Sequence, residues 1–91
     1  MNQLTLFFKT LGDENRLKIL YELQKEKELS VGELVERLEI SQPLASHHLR
    51  ELKMSGLVTT RKKGPYVFYR LKNPRIFELI ALAQSILEEQ A

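Results

Sequence analysis

No cysteine occurs in the 91-residue chain, so disulfides, thiolate metal sites and thiol redox switching by its own side chains are excluded together. No apolar run approaches the length of a membrane span, and no basic segment with an apolar stretch and a cleavage site opens the sequence. A cytoplasmic protein without a membrane partner is the expectation. A glycine-rich phosphate loop is missing, as is any serine, histidine and acid set at the spacing of a triad. The two histidines, His47 and His48, are neighbours, and on a helix they point to opposite or oblique sides, which is poor geometry for joint acid–base work. Catalysis is therefore the least favoured class, and no cofactor is expected.

Acid is scarce in one region above all. Residues 41–75 carry eight basic side chains against the single acid Glu51, a net charge of +7, while residues 1–40 sum to −2 and residues 76–91 to −3. The overall charge of +2 hides this segregation. A basic block of this kind is the electrostatic footprint of a polyanion-binding face; the competing reading is a solvated basic surface with no partner.

The block begins with the most organised stretch of the sequence, Ser41–Gly56. Ser41 is suited to cap a helix, Pro43 sits in the first turn where a missing N–H costs nothing, and Gly56 supplies a left-handed stop. Ala45, Leu49 and Leu52 recur at helical spacing and form a stripe to bury, leaving Pro43, Ser46, His47 and Arg50 on the far side.

The segments around it read as support. Residues 1–11 form a short helix with an apolar face too rich for its length, and Gly12 ends it. Asp13 caps a second helix running to about Lys25, with Leu17, Ile19, Leu20 and Leu23 inward and Tyr21 alongside. Ser30 and Glu33 have the form of a capping box, which starts a third helix at Val31 with Leu34, Val35 and Leu38 inward. Three residues later comes the Ser41 helix, and two short amphipathic helices so joined describe a helix-turn-helix. Leu57–Lys62 and Val67–Leu71 are β-branched and aromatic, with turn residues Lys63–Tyr66 between them, so a hairpin wing follows. Val67, Tyr69 and Leu71 alternate toward the core, and packing or turn structure is preferred to base stacking for Tyr66 and Phe68. Asn73 is read as the cap, and Pro74 as the first residue, of a last helix over about Arg75–Glu89. The fold expected is a single domain over residues 1–91, mainly α with a small β-hairpin wing: a winged helix-turn-helix of four helices, two strands and a fifth helix.

The last helix carries two apolar stripes, Ile76/Ile80/Ala83/Leu87 and Leu79/Leu82/Ile86. One would suffice for a protomer's own core. With the first helix they point to a homodimer through helices 1–11 and 75–89, using Leu4, Phe7, Phe8, Leu11, Leu79, Ile80, Leu82, Ala83, Ile86 and Leu87. One deep groove within the protomer is the competing explanation.

Gln42 at the helix start can pair bidentately with adenine or bond a phosphate, Ser46 and His47 can reach base edges, and Arg50 can take guanine or clamp a phosphate. Arg61, Lys62, Lys63 and Arg70 on the wing would hold the sugar-phosphate backbone of double-stranded DNA. His47 and Glu51, spaced i, i+4, are the one remaining pair of metal-ligand type, but two ligands do not make a site. A winged-helix module whose partner is an acidic protein surface is the alternative to direct DNA readout.

The order of elements, with RLKILYEL, SQPLASHHLREL, the SGLV after it and the GPYVFYRL wing, resembles the ArsR/SmtB family of winged-helix repressors from about Leu6 to Leu87. The resemblance implies a homodimeric transcriptional repressor joined through its terminal helices, bound to a short palindromic operator and released by an effector that it does not identify. It places base-reading and groove-lining roles on Gln42, Pro43, Ser46, His47 and Arg50, and makes His48 a structural histidine at the margin of the buried stripe. The family's thiolate sensor uses a C-x-C at the start of the third helix, where this chain has Ser30 and Gly32. A second family site uses Asp and His on the last helix, where this chain offers only Glu78, Glu88 and Glu89. No metal is expected at either.

Overall fold

The helix starts at Asp13, Ser30 and Ser41 each have a local side-chain cause. The structure, a computed structural model, describes residues 2–91. Its elements in order are α1 (Asn2–Leu11), α2 (Glu14–Lys25), β1 (Leu29–Ser30), α3 (Val31–Leu38), α4 (Gln42–Met54), β2 (Val58–Lys63), β3 (Tyr66–Leu71) and α5 (Ile76–Glu89). Met1, expected in the first helix, lies outside the described residues.

The Asp13 carboxylate accepts from the Arg16 N–H at 3.1 Å and starts α2. Ser30 and Glu33 close a reciprocal capping box, the Ser30 hydroxyl accepting from the Glu33 N–H at 3.2 Å and the Glu33 carboxylate from the Ser30 N–H at 2.9 Å. Two otherwise orphaned donors are thereby satisfied. Ser41 caps α4 through the Leu44 N–H at 3.2 Å, with Pro43 in the first turn. At the other end of α4, the Gly56 N–H bonds the Lys53 carbonyl at 3.0 Å and the Leu57 N–H bonds the Leu52 carbonyl at 2.9 Å. This Schellman closure needs a left-handed residue, which Gly56 supplies with φ of 76°.

The expected start of α5 is displaced. The Asn73 carboxamide accepts from the Arg75 N–H at 3.0 Å, two residues on, so Asn73 shapes a turn through Pro74 and Arg75 and the helix begins at Ile76 without a side-chain cap. The first wing strand is shifted by one residue from the expected bounds, and the second begins one residue earlier, at Tyr66, and ends at Leu71 as expected. Lys63 pairs with Tyr66, leaving a two-residue turn, Gly64–Pro65, with Gly64 at φ of 60°. A third strand adds an edge not anticipated from the sequence: Leu29 and Ser30 pair antiparallel with Tyr69 and Phe68, giving the order β1-β3-β2.

The core sits between α2, α3, α4 and the base of the sheet. Ile19, Leu20, Leu34, Leu49 and Leu52 are fully buried in it, and Leu29, Leu57, Val58 and Ile76 close its lower edge. Ala45, Leu49 and Leu52 are the stripe expected of α4, and all three are buried. Burying one such leucine contributes about 1.5–3 kcal/mol, enough to set the rotation of α4 about its axis. Among the described residues no helix is long and apolar enough to cross a membrane.

Candidate nucleic-acid interface

With its apolar side committed to the core, α4 turns Gln42, Pro43, His47 and Arg50 to solvent and leaves Ser46 half-buried. These five residues, expected together from the sequence, lie on one side of one helix. His48, the next residue, turns into the core and is buried, with Nδ1 3.2 Å from a guanidinium nitrogen of Arg16 and Nε2 3.8 Å from the Asp13 carboxylate. Burial lowers the His48 pKa below the usual imidazole value and Arg16 lowers it further, while the Asp13 carboxylate opposes them.

Arg16 is the residue that sequence reasoning missed here. Its Nε donates to the Thr10 carbonyl at 2.6 Å, so one guanidinium joins the end of α1 to the middle of α4. A second tie runs parallel to it. The buried Thr10 hydroxyl donates to the Leu6 carbonyl at 2.9 Å, so Ser55 must donate the 2.7 Å bond between the two hydroxyls. Arg16 bonds both α1 and α4, a long-range arrangement with no signature in local periodicity.

The wing separates its four expected cations. In an antiparallel pair opposed residues share a face and neighbours alternate. Thr60 and Tyr69 share the core side with Val58 and Leu71, and Lys62 extends that side beyond the core near the tip. Arg61, Lys63 and Arg70 lie on the outer face. Arg61 is engaged there: both its Nε, at 3.1 Å, and a terminal nitrogen bond the Glu28 carboxylate, and its guanidinium lies 5.7 Å from the Phe68 ring centroid. The Arg61 bond holds the Glu28 carboxyl below the usual carboxylate range. Arg70 pairs with Thr59 near the hairpin base, four residues and roughly 13 Å from the tip. Lys62 and Lys63 are thus the wing cations nearest the tip, both exposed and neither in an ion pair among the described residues.

The terminal helices leave an apolar surface open. Phe7 and Leu11 pack into the protomer's own core, and Leu79 and Ile80 are half-buried against it. Leu4, Phe8, Leu82, Ala83, Ile86 and Leu87 are exposed, Phe8 by 51% and Leu82 by 59%. Between α1, α2 and α5 runs an apolar groove of about 480 Å³ floored by Leu11, Leu17 and Ile80.

Ser30 spends its side chain in the capping box, and Gly32 beside it has no ligand atom. Among the described residues no three His, Cys, Asp or Glu side chains are grouped to hold a metal ion.

Comparison with known proteins agrees with this geometry. The family model described as bacterial regulatory protein, arsR family, matches residues 13–60, from the α2 cap into the wing. The cadmium resistance transcriptional regulatory protein CadC of Listeria innocua is 43% identical over 83 residues, covering 91% of this chain and 70% of that protein. Among solved structures, HlyU from Vibrio cholerae has a TM-score of 0.78 at 41% identity, covering 93% of this chain and 91% of that one. The homodimeric winged helix-turn-helix DNA-binding domain of a possible ArsR-family regulator from Mycobacterium bovis has a TM-score of 0.83 at 31% identity, covering 97% and 81%.

Proposed function

Because the chain belongs to the arsR family of bacterial regulatory proteins, we propose that it is a cytoplasmic homodimer that represses transcription by occupying an inverted-repeat operator in duplex DNA. It is a winged helix-turn-helix regulator and not an enzyme. The observation that carries the reading is the division of α4: Ala45, His48, Leu49 and Leu52 are locked inside, so Gln42, His47 and Arg50 are presented on a fixed helix face.

On this reading α4 enters the major groove, where Arg50 can take the O6 and N7 of guanine and Gln42 the N6 and N7 of adenine. Pro43 and Ser46 line the approach, and His47 offers a planar group to a base edge. Lys62 and Lys63 hold phosphates beside it, and Arg61 and Arg70 add positive potential from the outer face. The exposed apolar residues of α1 and α5 are the surface a second copy would cover, and a two-fold there would set two recognition helices roughly 34 Å apart.

Fluorescence anisotropy with labelled DNA from upstream of the chain's own gene tests this. Tight binding is expected at an imperfect inverted repeat, weakening steeply with salt because the two basic segments of a dimer together carry fourteen net positive charges. Equal affinity for random duplex of the same length would overturn the reading in favour of a protein-binding module, and a promoter fusion that rises when the chain is supplied would overturn repression.

A further inference from the structure

The wing base carries Lys27 and Lys72, which the proposed DNA-reading set does not include, beside Arg70, which it shares. A cleft of about 470 Å³ opens between the end of α2, the base of the hairpin and the start of α5, within the range of small-molecule sites. No residue of α3 or α4 lines it. Its apolar wall is Leu23, Leu71, Pro74 and Phe77, and its rim carries Lys27, Arg70 and Lys72 with no carboxylate among the lining residues. Phe77 is held in place by the Tyr21 ring, at 5.3 Å between centroids.

The three cations have no ion-pair partner among the described residues. Glu28, the acid whose field reaches both Lys27 and Arg70, is already bonded through both oxygens to Arg61. Three like charges converging on one apolar-walled cleft repel one another, and an anion between them would relieve that repulsion while its body covered the wall. We propose that this cleft binds a small organic anion, a ring or short apolar body bearing a phosphate or carboxylate group. Arg70 is the bidentate donor suited to such a group, and Lys27 and Lys72 are point charges beside it.

Three elements line the site: Lys27 follows α2, Thr59 and Arg70 belong to the wing, and Pro74 and Phe77 open the α5 segment. An occupant draws the wing base toward α5 and cancels positive charge behind the wing, which makes this anion an effector that weakens operator binding. That effector role rests on the proposed DNA function; the binding site does not.

The test is an amide-resolved NMR titration of the whole chain with phenyl phosphate, beside inorganic phosphate and benzyl alcohol as probes of the head group and the ring alone. Saturable shifts are expected at Lys27, Thr59, Arg70 to Lys72 and Phe77, with affinity for phenyl phosphate roughly tenfold above either fragment. Lys27→Gln and Lys72→Gln, both at exposed positions, should each weaken binding roughly five- to tenfold. Lys18→Gln removes the same charge from α2, outside the cleft lining, and should leave binding unchanged. Shifts centred on α4 or the wing tip, no saturation, or equal loss in all three variants would overturn the site. Operator DNA shifting the cleft amides in place of phenyl phosphate would assign the cleft to the DNA footprint and also overturn it. Binding of phenyl phosphate with operator affinity unchanged would overturn the effector role alone, and failure of operator binding altogether would leave the titration readable.

Discussion

Arg16 and His48 meet at 3.2 Å between a guanidinium nitrogen and the imidazole Nδ1. A guanidinium only donates, so Nδ1 accepts, and the neutral ring carries its proton on Nε2, 3.8 Å from the Asp13 carboxylate. A second proton would have to sit on Nδ1, facing Arg16, inside the fold.

That arrangement makes stability depend on pH. Burial and then Arg16 lower the folded pKa of His48, while the unfolded chain titrates at the ordinary value of about 6.5. Between the two the unfolded state binds more protons, so the contribution is complete above about 6.5 and is lost as pH falls through the folded pKa. Urea unfolding of the wild type between pH 8 and 5 should show this decline, and His48→Gln should flatten it. Identical pH dependence in the two proteins would remove His48 as its source.

Arg50 is exposed and makes no ion pair among the described residues. Arg50→Ala should therefore leave the melting temperature unchanged and cost about 1–3 kcal/mol of operator binding, roughly 10- to 150-fold in affinity. Anisotropy on operator and random duplex measures both specific and residual binding. An unaltered ratio between them would take Arg50 out of the base-reading set.

The wing cations should differ by face and by partner. Lys62→Gln and Lys63→Gln should each lower the slope of log affinity against log salt by about two per dimer, one phosphate contact per copy, without changing sequence preference. Arg61→Gln should change it less, because Glu28 already holds that guanidinium. A larger salt effect for Arg61→Gln than for Lys62→Gln would reverse this ranking.

Leu82 and Ile86 lie on the exposed apolar side of α5, at 59% and 45% exposure. Leu82→Glu with Ile86→Glu should leave the helical circular dichroism intact and convert the dimer to a monomer in sedimentation, since two charges per copy cannot be buried unpaired. Persistence of the dimer would move the interface elsewhere.

Zinc or cadmium should not raise the melting temperature appreciably. At the α3 start the positions that would need thiolates are Ser30, which is occupied as a helix cap, and Gly32. A stabilisation of several degrees, abolished by chelator, would demand a ligand set not visible in the protomer.

What was legible from sequence is what local chemistry decides. Ser30, Ser41 and Asp13 start helices by bonding their own next turn, and Gly56 stops one by adopting a conformation other residues resist. The alternation on β3 correctly turned Tyr69 and Leu71 inward. Everything misjudged involves a choice among partners. Asn73 bonds Arg75 two residues on and so delays α5, a competition that the Asn-Pro pair does not itself resolve. β1 is two residues long and exists only because β3 offers its free edge. Arg61 and Glu28 are 33 positions apart, and only the folded sheet makes a pair of them. Arg16 likewise has no local signature, and its partners come together only when α1 and α4 close around it.

The two sides of α4 also bear on how such a protein changes over generations. Ala45, His48, Leu49 and Leu52 are tied to the fold, so substitution there is constrained by folding whatever DNA the chain meets. Gln42, His47 and Arg50 touch little of their own protomer, so exchanging them has little consequence for the rest of the chain. A lineage carrying this helix can wander between operator sequences while its scaffold stays fixed, and duplicated copies can diverge in target before they diverge in structure.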